Sequence, residues 1–172
     1  HHAELLMRDA VFPVCSPQFL KVHGDIALAD IPQYPLIHRV DDQVCPGWES
    51  WFAFQGLATP PYHHGPRFPD SSLAISLALK GDGIALGRTA LVYDALKDGS
   101  LVALNGPVMM SPAAYYLICR NGRQSEPNIA RLFDWLKNQA QVFVQDVKVQ
   151  YPQLNEITPS PPTPPDTPAP HH

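Results

Sequence analysis

Residues 65–99 read GPRFPDSSLAISLALKGDGIALGRTALVYDALKDG, and the alternation of short extended pieces with helices in this stretch decides the fold. Residues 66–69 carry Phe68 and form a short strand. Asp70, Ser71 and Ser72 follow, three side chains able to accept hydrogen bonds from the unpaired amides of a helix start. Leu73, Ala74, Ile75, Leu77, Ala78 and Leu79 then make a helix apolar on nearly every side, which predicts that it is buried. Lys80 closes it, and Gly81 stands where a left-handed residue is favoured. Beyond Gly83, Ile84-Ala85-Leu86 is the unbroken apolar run expected of a parallel strand covered on both faces. Gly87-Arg88-Thr89 punctuates the chain, Thr89 is placed to cap a helix over 90–97, Gly99 ends that helix, and a strand over 101–104 completes the unit. The fold class is therefore α/β. Open α/β sheets bind small polar or anionic ligands at the carboxyl ends of their strands, where helix-start amides converge. The Asp70-Ser71-Ser72 turn is such a place, and simple N-capping is the competing use of the same residues.

Before this unit, Val11-Phe12-Pro13-Val14-Cys15 is an extended apolar run whose proline suits an edge strand or a crossing between lobes. Ser16-Pro17 opens a short helix over 18–22, residues 23–33 read as a loop, and 35–38 as a strand. Trp48, Trp51, Phe52 and Phe54 give a helix over 48–57 a large aromatic face. After the unit, 106–112 reads as a loop and 113–119 (AAYYLIC) as a long strand. Ser125-Glu126-Pro127 starts a helix whose Ile129, Leu132, Phe133, Leu136, Ala140, Phe143, Val144 and Val147 fall on one stripe that must cover something. From Tyr151 the chain is proline-rich and expected to be a flexible tail.

Composition narrows the function. The 172 residues suit one domain or two small lobes, and the net charge of −4, with no basic run or zinc-finger spacing, argues against non-specific nucleic-acid binding by this piece. No apolar stretch approaches a membrane span, and the start His1-His2-Ala3-Glu4 has no secretory pattern; the paired histidines at both ends read as tag remnants. Cys15, Cys45 and Cys119 are odd in number and far apart, which fits a reducing cytoplasm. Adjacent His63 and His64 without a nearby third ligand make a poor metal site. Cys15 with His38 and His63 or His64 can be written as a nucleophile and base, but a cysteine closing an apolar strand is expected to be buried and inert.

Several short motifs recur in a fixed order: Phe12-Pro13-Val14-Cys15-Ser16-Pro17, Pro35-Leu36-Ile37, Trp48-x-x-Trp51, Phe68-x-Asp70-Ser71, Gly81-x-Gly83-Ile84-Ala85-Leu86-Gly87, Leu96-x-x-Gly99-x-Leu101-Val102, Tyr115-Tyr116-Leu117 and Leu132-Phe133-Asp134-Trp135-Leu136. In this order and spacing, over about Leu5 to Asn138, the chain resembles the C-terminal effector-binding domain of LysR-type transcriptional regulators, particularly the branch of the glycine-cleavage activator and the β-lactamase regulator.

The resemblance implies a type 2 periplasmic-binding-protein-like fold, with Rossmann-like lobes of mixed sheet, two hinge-crossing strands and a C-terminal helix. It implies residues 1–15 as the remnant of a first lobe with the outgoing strand, 16–112 as the second lobe, 113–150 as the returning strand and helix, and 151–172 as the tail. The winged helix-turn-helix, the linker helix and most of the first lobe have no counterpart before Leu5, so a fragment is expected. A small polar or anionic effector between the lobes would control transcription, touching Ser71 or Ser72 and Tyr115, with His38 and Arg39 as weaker contacts. The full-length protein is then expected to be a cytoplasmic homo-oligomer, dimer or tetramer, that binds DNA through the missing N-terminal domain. No catalytic residue, cofactor, metal or membrane partner is implied. A solute-binding protein of a transport system, which could share the fold, is the alternative.

Overall fold

The computed structural model describes residues 1–40, 46–59 and 65–152. Cys45, the His63-His64 pair and most of the proline-rich tail lie outside them. The elements run β1 (His2–Cys15), α1 (Pro17–His23), β2 (Leu36–Arg39), α2 (Trp48–Phe54), β3 (Arg67–Phe68), α3 (Ser71–Lys80), β4 (Ile84–Arg88), α4 (Thr89–Lys97), β5 (Val102–Ala103), β6 (Met109–Cys119) and α5 (Pro127–Gln150). A 3-10 turn over Leu28–Gln33 occupies part of the segment read as loop.

The strands make one mixed sheet in the order β3-β2-β4-β1-β5, with β6 alongside β1. β2 is parallel to β3 and to β4, so β3-α3-β4 is the expected βαβ unit, with β2 between its strands. β1 turns the sheet antiparallel against β4, β5 and β6. One core lies under α3, α4 and the end of α5, and gathers Phe12, Val14, Ala78, Ala85, Val92 and Val147. A second core on the other face gathers Val11, Phe19, Ile31, Ile84 and, from α2, Trp48, Trp51 and Phe52.

Local chemistry placed most boundaries. Ser16 caps α1 with Pro17 in its first turn, Asp70 caps α3, Gly81 ends it with φ +86°, and Pro127 opens α5. Helix α3 differs from expectation, because only Ala74, Ile75 and Ala78 are buried while Leu73 and Leu79 are exposed. The sheet covers one of its faces and nothing among the described residues covers the other. Helix α4 starts without a side-chain cap from its own chain neighbours; Thr89 donates to the Ala10 carbonyl, and the amide of Ala90 finds the carboxylate of Asp9 on β1.

The proline of β1 is not at an edge. Pro13 lies opposite Leu86 of β4, and its carbonyl accepts the Leu104 amide at 2.9 Å, on the β5 side. In an antiparallel strand the nitrogen and carbonyl of one residue face the same neighbour, and here that neighbour pairs only with Val14 and Cys15. The missing N–H therefore faces the Leu104 end of β5, beyond its paired residues, and leaves the bonds between β1 and β4 untouched. β1 also begins far earlier than the 11–15 run, and β6 begins at Met109, within the segment read as loop. The part of β1 that faces β6 is 2–11, paired from His2↔Cys119 to Val11↔Met109, whereas 11–15 pairs with β4 and β5.

Residues 2–8 of β1 and 114–119 of β6 thus leave the sheet as a two-stranded ribbon. The first half of α5 lies against it, through a stack of His2 on Phe133 and an ion pair of Lys137 with Glu4 at 2.6 Å. Hydrogen bonds from His2 and then Lys137 hold the Glu4 carboxyl below its ordinary range. Leu132 and Trp135 of α5 are exposed, so the buried stripe is narrower than the sequence pattern suggests. Farther along, Asp146 accepts from the Tyr93 hydroxyl and from Lys97, which ties α5 to α4. Burial first, and the Asp146 carboxylate second, push the Tyr93 phenol up to about 12.

Candidate functional site

The carboxyl ends of β2 and β4 and the start of α3 surround a small cavity. His38 and Arg39 come from β2, Ser71 from α3, Arg88 from the last residue of β4, and Trp48 from the start of α2. Its inner volume of about 30 Å³ holds one or two waters, or one carboxylate-sized group. Three side chains that carry or can take a positive charge line it, and none of its described lining residues is a carboxylate.

Each wall has a reason to be where it is. Trp48 donates its indole N–H to the Ile37 carbonyl at 2.9 Å, which fixes α2 against the end of β2. The Asp70 carboxylate accepts the amides of Ser72 and Leu73 at 2.8 and 3.0 Å, so those helix-start amides are already engaged. N-capping is what they do. Of residues 70–73 at the helix start, only Ser71 lines the cavity. Ser72 is exposed, is absent from the cavity wall, and uses its carbonyl for the Ser76 hydroxyl.

Tyr115 stands one step behind the cavity. Its hydroxyl accepts from Arg88 Nη2 at 3.1 Å, and the guanidinium lies 5.5 Å from its ring centroid. Arg88 in turn donates Nε to the buried Asp9 at 2.7 Å. The structure therefore brings His38, Arg39 and Ser71 together, sets Tyr115 beside them through Arg88, and leaves Ser72 outside.

Arg88 is the residue that sequence reasoning passed over. Gly87-Arg88-Thr89 read as punctuation between elements, whereas the strand runs on through Arg88. The signal was present: an arginine directly after an apolar strand of an α/β unit sits at the edge where such sheets hold ligands.

Cys15 is fully buried, and burial pushes its thiol up to about 11. At neutral pH it is therefore a thiol without access. A mild alkylating agent at pH 7.5 should leave Cys15 unmodified in the folded chain and label it fully in urea; stoichiometric labelling of the native protein within minutes would contradict that placement.

The model of the LysR substrate binding domain matches residues 1–141. The chain belongs to that family. This LysR-type effector-binding domain is 26% identical over 151 residues to the glycine cleavage system transcriptional activator of Escherichia coli (strain K12), covering 87% of this chain and 48% of that protein. It is 29% identical over 144 residues to the HTH-type transcriptional regulator DsdC of the same organism, covering 81% and 45%. The chain spans about half the length of these curated relatives. Among solved structures, the AmpR effector binding domain from Citrobacter freundii superposes with a TM-score of 0.67 at 22% identity, covering 81% of this chain and 68% of that one. The effector domain of AmpR from Pseudomonas aeruginosa gives 0.66 at 22%, covering 82% and 66%. The LysR-type domain thus shares their periplasmic-binding-protein-like fold. The relatives are transcriptional regulators, not enzymes, and no described helix is long and apolar enough to cross a membrane.

Proposed function

We propose that this domain senses a small polar or anionic metabolite at the cavity formed by His38, Arg39, Ser71 and Arg88, and passes its occupancy to a DNA-binding part elsewhere in the regulator. The observation that carries the proposal is the convergence of these side chains, with Tyr115 bonded to Arg88, at the carboxyl ends of β2 and β4. Residues 16–112 then form one lobe, β1 and β6 the outgoing and returning crossings, and α5 the support of the ribbon. A cavity with room for one or two waters takes the charged end of a metabolite, and a second lobe encloses the remainder. A cytoplasmic homo-oligomer bound to DNA is the setting in which such a sensor works, and no catalytic step, cofactor or metal is required of it. The regulators among its relatives weigh against a transport protein.

The test is made in the full-length regulator. Ser71→Ala and Tyr115→Phe should each reduce the transcriptional response to inducer about tenfold, as expected for one lost hydrogen bond to a charged group, while operator affinity without inducer stays within about twofold. Ser72→Ala, outside the cavity, should respond nearly as the parent does. Loss of operator binding by folded Ser71→Ala and Tyr115→Phe variants would contradict the proposal.

A further inference from the structure

Asp9 is fully buried in the middle of β1, in a run that is otherwise apolar from Ala10 to Cys15. Its Oδ2 accepts Arg88 Nε at 2.7 Å, and its Oδ1 accepts the amides of Ala10 and Ala90 at 3.1 and 3.4 Å. Arg88 Nη2 reaches on to the Tyr115 hydroxyl at 3.1 Å. One bonded series thus joins the outgoing strand β1, the end of β4 and the returning strand β6. As a means of stabilising a fold, a buried ion pair is poor, because well-packed apolar residues of the same volume do as well or better. What it supplies is a single geometry.

The place where it sits needs one. The β1–β6 ladder is irregular twice. Leu5↔Tyr116 is followed by Met7↔Tyr115, so Leu6 is an extra residue in β1; Arg8↔Ala114 is followed by Ala10↔Met110, so 111–113 stand opposite Asp9 alone. Such irregularities bend a ladder and re-aim its side chains. Only Met7-Arg8 against Ala114-Tyr115 lies between them, and beyond that point the two strands continue as the ribbon. The pairing of the two strands is interrupted on both sides of this point.

We infer that Arg88 is a positioning residue that pins this hinge: anchored by Asp9, it holds Tyr115 across the ladder break at Asp9 and fixes the angle at which the ribbon leaves the lobe. Arg88 also lines the cavity, so a ligand that interacts with the guanidinium acts on the pin directly. That last step rests on the sensor reading; the pin itself does not.

Amide hydrogen exchange on the ligand-free chain tests it, using Arg88→Lys, Asp9→Asn, Tyr115→Phe and the Arg88→Lys/Tyr115→Phe double variant. Each single change should raise exchange of residues 3–8 and 114–119 about tenfold, the order expected for losing a hydrogen bond to a charged group. Amides of β2 and β4 should stay near their parent rates, and the double variant should exceed neither single one. Unchanged hinge rates, effects that add in the double variant, or a rise spread evenly through β2 and β4 would each overturn the inference. Tyr115→Phe keeps every charge and most of the packing, so it decides the matter even where Arg88→Lys or Asp9→Asn fails to fold. If the hinge responds as expected while no compound alters the parent protein, the sensor reading fails and the pin stands.

Discussion

Arg88→Ala is expected to lower the free energy of unfolding by about 3–5 kcal/mol, because it strands a carboxylate in the protein interior. Asp9 has 0% of its surface exposed, and the Arg88 side chain that neutralises it retains only 17%. The amides of Ala10 and Ala90 would remain on Asp9, but two neutral donors do not replace a guanidinium at 2.7 Å. Urea unfolding measures the effect, and the informative comparison is the Asp9→Ala/Arg88→Ala double variant. Removing both charges should recover part of the loss, giving a cost below the sum of the two single ones. A double variant as unstable as that sum would mean that the two side chains do not act on one another. The inducer response should vanish with Arg88→Ala, since the cavity loses a wall and Tyr115 loses its hydrogen bond to the guanidinium.

Trp51→Ala should be of similar size, about 3–5 kcal/mol, for a different reason. Trp51 and Phe52 are both fully buried, and with Trp48 they form an edge-and-stack cluster with ring centroids 5.4–5.6 Å apart. The cluster fills the face of the sheet opposite α3 and α4, and Trp48 is also the cavity wall. Because small domains have a net stability of only about 5–15 kcal/mol, the variant should lose a large part of it and melt well below the parent. Phe54→Ala on the same helix, with its side chain in solvent, should change stability by no more than about 0.5 kcal/mol. Thermal melts followed by near-ultraviolet dichroism distinguish the two; comparable losses would show that the aromatic face of α2 is not packed as described.

What could be read in the sequence follows the range of the interactions involved. Asp70, Gly81, Ser16-Pro17 and Pro127 act on their own neighbours, and each stands at the helix boundary where it was expected, although α5 starts at Pro127 without a side-chain cap. The unbroken apolar run of β4 identified a strand buried on both faces, and that is where Ile84 and Ala85 lie. Long-range pairing leaves a weaker mark. The first half of β1 alternates poorly because one side meets only α5 and the ladder shifts register twice, so 2–10 did not read as a strand. Helix α3 looked buried all round because composition counts leucines without saying which of them the sheet reaches. At the cavity, His38 and Arg39 could be picked out from the end of a strand and Ser71 from a helix start, and all three line it, whereas Ser72 does not. Arg88 was not legible, since its significance depends on Asp9 and Tyr115, residues 79 and 27 positions away.

The most direct test of the sensing site is an isotope-labelled titration of this chain with a panel of amino acids and small carboxylic acids, followed by the backbone amides and the Trp48 indole N–H. A binding compound should shift the resonances of His38, Arg39, Ser71, Arg88 and Trp48 first, with smaller changes at Tyr115, and Ser71→Ala should need about tenfold more of it for the same shifts. Saturable shifts confined to the outer face of α5 or to the turn over Leu28–Gln33, with the cavity resonances unmoved, would contradict it.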